Sequence, residues 1–400
     1  MCSIIFYLMQ GEFSYENILS EKAYKNFYST FCFECRDIWF SFDCRNCSNI
    51  IGCTGLRHQN YCIFNQKVSK EEYESFIKDY LNGSREKIES LKQKSTEFIK
   101  SRPQRASLIE KSLNSTGNLL KECKDCKDCF NVDKSENVKF GLYDLELKDS
   151  YDLTSAWKTN LSYELIGSFG GISNVRFSRF LLDNSIEVDY STFVINGQNM
   201  FGCAYIKNSK YCILNKQYSK EEYFEMVEKI KKHMNDMPYI DKKGRVYKYG
   251  EFLPIEISPF SYEETIANEY FSLTKNEIEE KGFNLFDHEI DKNYNVEVIN
   301  PPDTIDEVDD NILSKAIKCE STGKLFNITK MELDFYRRFN LPLPKESPFA
   351  RHQRRLKFIS EHMKIIHRNC GKCNLEIHSV YNNEEFPIVY CEKCYQAEVY

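Results

Sequence analysis

The sequence predicts a mainly β protein with helices: two β-solenoid-like blocks, each closed by a capped helix, followed by a C-terminal zinc-ribbon domain. Three observations carry this. One phrase occurs twice, as "YCIFNQKVSKEEY" at 61–73 and "YCILNKQYSKEEY" at 211–223. The stretch 148–219 divides into steps of about twelve residues, and Cys32 to Cys44 and Cys35 to Cys47 repeat that spacing. Two C-x-x-C pairs, Cys370/Cys373 and Cys391/Cys394, close the chain. The predicted order is a cysteine-rich block over 1–66, a helical cap or insertion over 67–122, a second block over 123–218, a capping helix over 219–236, an acidic, aromatic-rich connection over 237–312, and the ribbon domain over 313–400 with a degenerate first half.

The start, "MCSIIFYLMQGE", reads as a buried strand rather than a signal peptide, having no basic n-region. In the twelve-residue steps a Ser or Asn precedes a short alternation such as Tyr151-Asp152-Leu153 or Ile186-Glu187-Val188. Alternation at period two marks a strand with one buried face. Strands this short are too short for ordinary hairpins but can stack as rungs, two twelve-residue steps making one coil. An irregular sandwich with a duplicated hairpin is the other reading.

The second half of the repeated phrase starts a helix. Ser69 with Glu72, and Ser219 with Glu222, fit the S-x-x-E capping box, and Val68/Tyr73 and Tyr218/Tyr223 fit a hydrophobic staple. A stack end exposes unpaired backbone groups, so these helices are expected to close it. Thr329 and Glu332 make a third box ahead of Leu333, Tyr336 and Phe339.

Seventeen cysteines without an export signal predict a reducing cytoplasm, with thiols used for metal or for packing. No run of about 18 apolar residues predicts a membrane span. Cys123, Cys126 and Cys129 in "CKDCKDC" are either a second metal site, needing a fourth ligand, or core thiols on repeat positions, where free cysteine packs as a small hydrophobe. The terminal pairs are a far more specific signal. Four thiolates on neighbouring turns give the closed tetrahedral set of a structural Zn²⁺, leaving no position for an activated water. His378 lies in a strand run and is expected at the surface.

The net charge is −6, yet residues 345–372 carry +6, which leaves the remainder at −12. A basic stretch beside a zinc ribbon predicts contact with RNA or a ribonucleoprotein through Arg351, His352, Arg354, Arg355 and Lys357, with Phe358, Tyr381 and Tyr395 offering stacking faces. The alternative is that these arginines pair with the chain's own acidic segment, 287–310. A protein partner on the solenoid face, without nucleic acid, is the second functional reading. Glu164, Glu187 and Asp189 on strand runs allow a third, solenoid carboxylate chemistry. No phosphate-binding glycine loop, H-E-x-x-H or nucleophile elbow is present. A non-catalytic protein is therefore expected, and no catalytic residue is assigned.

Together "GCTGLRHQNYCIFN", "YKYGEFLPIEISPFSYEETIANEYFSLTK", "CESTGKLFNITKMELDFYRRFNLPLP", "RHQRRLKF" and the ribbon to "CEKCYQAEVY" resemble a family of cysteine-rich zinc-ribbon proteins abundant in candidate-phyla bacteria. The resemblance covers most of the chain. It implies a solenoid with a C-terminal ribbon and no established activity. Relatives carry an additional ribbon, of which this sequence keeps Cys319, Gly323, Lys324 and Phe326. Thr322, Ser347 and Ala350 stand where its other thiols would fall, so the resemblance implies a degenerate site there.

Overall fold

In the computed structural model, which describes residues 6–9, 11–286 and 296–399, the first stack repeats every three residues. Every third residue points inward: Ser29, Cys32, Cys35, Ile38, Ser41 and Cys44 are all buried. Every third residue from Phe13 to Asn49 is also left-handed, with φ between 46° and 56°. Four such triplets make a coil of twelve. Tyr24, Arg36, Ser48 and Asn60 are successive parallel partners. One twelve-residue step is thus a full coil, which corrects the expectation of two. The triplets that read as period-two alternation are sides of a narrow four-cornered tube.

The second stack follows the same rule, from Gly117↔Cys129 through Tyr151↔Tyr163 to Gln198↔Lys210. Its first pairing joins Ile109–Glu110 to Leu120 and Lys121, inside the segment expected to be a helical insertion. Two coils hold thirteen residues, the additional ones taken up at Gly170-Gly171 and Asp183-Asn184, all at positive φ. A Cβ on Gly171, at φ +68°, would meet Asn184 Oδ1 at 2.3 Å, so a side chain here would be strained and would displace that amide.

Serine fills many inward positions for a reason. Its hydroxyl accepts from the backbone N–H one coil on: Ser41 N donates to Ser29 Oγ at 3.2 Å, Leu147 N to Ser135 Oγ at 3.0 Å and Cys203 N to Ser191 Oγ at 3.0 Å. Buried backbone groups need such partners. Cysteine takes the same places. Cys129 Sγ accepts from Gly141 N at 3.4 Å, and Cys32 Sγ donates to Ser41 O at 3.6 Å.

The repeated phrase ends each stack. The last strand, Asn60–Ile63 or Lys210–Ile213, folds back on a two-residue strand in antiparallel pairing. The amide of Asn65 grips both backbone groups of Thr54, each at 2.9 Å, and Asn215 does the same to Ala204. Both serine capping boxes form, and Tyr73 and Tyr223 pack edge-on against Tyr61 and Tyr211. The eight helices among the described residues are α1 Lys70–Tyr80, α2 Arg85–Lys100, α3 Lys220–Asp236, α4 Ile266–Tyr270, α5 Lys275–Lys281, α6 Lys330–Arg338, α7 Pro348–Glu361 and α8 Glu392–Val399. None is long and apolar enough to cross a membrane. Of the N-terminal stretch, Phe6–Met9 is a strand parallel to Ile18–Glu21; residues 1–5 and 10 lie outside the described set.

The C-terminal segment does not stand apart. Leu333, Tyr336 and Leu341 share a core with Tyr15, Phe27 and Trp39 of the first stack. Ile359, Tyr381 and Val389 share another with Ile18, Phe31 and Phe42.

One inward position of the second stack is charged by type. Asp144 is buried between Val132 and Ala156 of its column; its Oδ1 accepts from Ala156 N at 2.8 Å and its Oδ2 has no partner among the described residues. Gly141 leaves the room, since a Cβ there would stand 2.8 Å from that oxygen. Burial pushes the carboxyl well above its ordinary range, which favours its protonated form in the fold. A raised folded pKa gives stability that is full below the unfolded value near 4 and is lost as pH rises. Asp144→Asn is therefore expected to match the parent at pH 4 and to exceed it by roughly 1–3 kcal/mol at pH 8, read from urea unfolding at both pH values.

Candidate metal centre

Two short elements bring the terminal cysteines together. Ile366–Asn369 pairs antiparallel with Glu376–Ser379, and Cys370 begins the tight turn between them, with Asn374 left-handed at its end. Cys391 follows the strand Val389–Tyr390, and Cys394 lies in the first turn of α8. The four sulfurs lie within 4.8 Å of one another, and this is the one group of three or more metal-ligating side chains so clustered among the described residues. Cys373 Sγ and Cys391 Sγ are 3.8 Å apart. Tetrahedral coordination at about 2.3 Å requires a sulfur spacing of about 3.8 Å, so the set fits a metal ion with every position filled by protein. His378 faces His367 across the hairpin and is not in the group.

The turn prepares a thiolate. Burial raises the Cys370 thiol, but the backbone N–H groups of Cys373, Cys391 and Lys372 outweigh it and bring it down to about 6. Hydrogen bonding to the Cys391 thiol pushes Cys394 up to about 12. The tetrad thus holds negative charge at one corner and shares protons at another, which a cation would displace.

The centre is tied to the first stack. Val389–Tyr390 pairs in parallel with Gln104–Arg105 just after α2. Arg105 Nε binds Glu392 of α8 at 2.6 Å. Tyr395 OH donates to Asp43 Oδ2 at 3.1 Å, and Asp43 is held bidentately by Arg57 at 2.9 and 3.0 Å. Gly55 clears the way, because a Cβ there would lie 2.9 Å from the Tyr395 hydroxyl.

Comparison with family models, curated proteins and solved structures returned no match.

Cys123, Cys126 and Cys129 form no metal-ligating group among the described residues. They occupy successive inward positions in the buried core of the second stack, and Cys123 Sγ donates to Val132 O at 3.1 Å. Hydrogen bonding to Cys126 and burial push the Cys123 thiol up, away from the thiolate a metal needs. All three thiols are buried among the aliphatic residues of the second stack.

The basic stretch is corrected more sharply. Arg351, Arg354 and Arg355 share one face of α7 and converge on Glu16, a left-handed corner of the first stack. Arg355 Nη1 lies 2.7 Å and Arg354 Nη2 2.9 Å from the Glu16 carboxylate; Arg351 Nη1 is 3.7 Å from it and donates to Tyr15 OH at 2.7 Å. Arg351 and Arg355 are each 2% exposed. They cannot hold phosphates in this fold. Tyr381 and Tyr395 are buried, so neither is a stacking face. Nor does the acidic segment take the arginines: among its described residues, Asp303 accepts from Ser84 at the start of α2 and Asp310 from Arg337; residues 287–295 lie outside the described set. The flank of α7 that stays accessible carries Lys357, half-exposed Arg354, bound also to Glu346, and His352, 3.6 Å from Glu269.

Of the groove carboxylates, Glu187 and Asp189 bind Arg176, the latter at 2.7 Å. Glu164 sits one coil above Asp152, and burial raises both carboxyls.

No local sequence signal pointed to Glu16. Removing it should strand two buried guanidiniums, and breaking such a cluster costs about 3–5 kcal/mol. Glu16→Ala is expected to lose that much in urea unfolding, while Lys357→Ala stays within about 0.5 kcal/mol of the parent.

Proposed function

We propose that the chain is a non-catalytic binding platform: two β-solenoids stiffened by a structural Zn²⁺ ribbon, with the second solenoid presented to a protein partner. The observation that carries this reading is a ladder of exposed rings. Phe180, Phe193 and Tyr205 stack one per coil at 4.9 and 4.7 Å, and Trp157 packs on Phe169 at 5.3 Å alongside them. All five are exposed. Aromatic side chains held flat by a rigid scaffold supply contact area at small entropic cost, and contiguous apolar patches of this kind mark interfaces. The acidic balance of the chain outside 345–372 disfavours a polyanion there. Zinc is favoured over other ions by the four-thiolate set. The resemblance to cysteine-rich zinc-ribbon proteins supports the same reading.

Stoichiometric zinc is expected by elemental analysis of the purified chain and is lost in Cys391→Ser/Cys394→Ser. Retention of zinc by that variant would contradict the assignment.

For the partner, quantitative affinity purification of the tagged full chain is compared with Phe193→Asp/Tyr205→Asp. A protein enriched at least about tenfold over the variant is expected, as for a hot-spot loss; equal recovery from both overturns the reading. Anisotropy with labelled single-stranded RNA at low salt is expected to show no binding. Salt-sensitive binding that Arg354→Ala/Lys357→Ala abolishes would favour the nucleic-acid reading instead.

A further inference from the structure

The two stacks meet along a cleft of about 290 Å³. Coil register sets its walls. On the first stack Glu21, Phe33 and Arg45 succeed one another at twelve-residue steps. On the second, Lys121 and Asp133 are direct parallel partners. Some charges here are already matched. Arg45 crosses the cleft to Glu110 and lies over the Phe33 ring, and Lys22 binds Glu34 at 2.7 Å.

Three charges remain. Glu21, Lys121 and Asp133 line the cleft and form no salt bridge among the described residues. A polar atom beside them is also unsatisfied: Asn131 Nδ2 is buried without a hydrogen-bond partner. Buried polar groups are ordinarily paired, so this orphan beside three unpaired charges points to a ligand that pairs them. Burial raises the Asp133 carboxyl above its ordinary range, Glu21 adds to the rise, and Lys121 opposes it. A cation placed between the two carboxylates would relieve this conflict.

We propose that this cleft binds a zwitterionic amine of amino-acid size, its ammonium between Glu21 and Asp133 and its carboxylate on Lys121 and the Asn131 amide. The volume lies at the small end of ligand pockets, which suits a compact molecule. A polyanion is repelled by Glu21 and Asp133. Phe33, Leu19 and Leu119 give an apolar floor for a side chain. The site is separate from the ring ladder and from the four-cysteine centre, and it stands whether or not the protein-partner reading does.

The test is ligand-detected NMR with the twenty common amino acids and the full-length protein, followed by calorimetry on the tightest. Binding of at least one is expected. Asp133→Asn and Lys121→Gln, each checked for a parent-like circular dichroism spectrum, should weaken it about tenfold or more, as lost charge-assisted hydrogen bonds do. Acetylation of the ligand's amine should abolish binding to the unaltered protein. No binding by any of the twenty at millimolar concentration overturns the proposal, as does binding that survives amine acetylation. Putrescine binding as tightly as the best amino acid would overturn the carboxylate half of it.

Discussion

The structure depends on a backbone that turns left-handed at every third residue. For an L-residue other than glycine or asparagine that conformation costs about 1–2 kcal/mol. Here it is occupied by Phe13, Glu16, Leu19, Lys22 and Lys25 in succession. No single coil can be stable on those terms. Each becomes so only when the next coil accepts its N–H groups, its inward serines and thiols accept or donate across the step, and its outward rings stack on their neighbours. The protein is cooperative along the stack axis for this reason, and a stack with an open end would leave one coil without the contacts that offset its strain. Asn65 and Asn215 meet that need directly, holding the backbone of the coil below, while α1 and α3 cover the final strand.

Seen in this way, the cysteine count has a plain cause. An inward position takes a side chain compact enough for a narrow tube, aliphatic as at Ile38, Val132 and Leu153 or able to join a backbone hydrogen bond. Ser and Cys are compact and can also make that bond, and Asp144 beside Gly141 is the carboxyl among them, its protonated form favoured by burial. The terminal four cysteines differ in kind: their sulfurs converge, whereas those of the stacks are spread along it. Their centre clamps α8 and the adjoining strand to the first stack through Asp43, Arg105 and the Gln104–Arg105 strand. The Glu16 cluster clamps α7 nearby. The C-terminal basic residues are thus spent mainly on internal attachment, and the ring ladder of the second stack stays exposed.

Much of this was legible in the sequence where the signal is local. The capping boxes at Ser69, Ser219 and Thr329 and each C-x-x-C depend on spacings of three residues, and the two cysteine pairs lie close in sequence; the boxes form and the four sulfurs cluster. The twelve-residue step was also visible. Its meaning was not, because a triplet such as Tyr151-Asp152-Leu153 looks like period-two alternation, although only Leu153 points inward. Three-residue sides halve the expected coil. The fate of Arg351 and Arg355 was hidden for another reason: their partner is more than 330 residues away, and a local charge sum does not register a single distant carboxylate. The cleft between the stacks is equally invisible, since it arises only when columns of residues twelve apart face one another.

The coil of twelve is the claim on which the rest stands. It places oppositely charged, exposed side chains in contact at that interval, Lys22 with Glu34 and Lys124 with Glu136, both at 2.7 Å. Zero-length carbodiimide cross-linking of the intact protein, with the linked peptides identified by mass spectrometry, tests it most directly. The account predicts amide links between Lys22 and Glu34 and between Lys124 and Glu136. Their absence, with links appearing instead between residues about twenty-four apart, would contradict it.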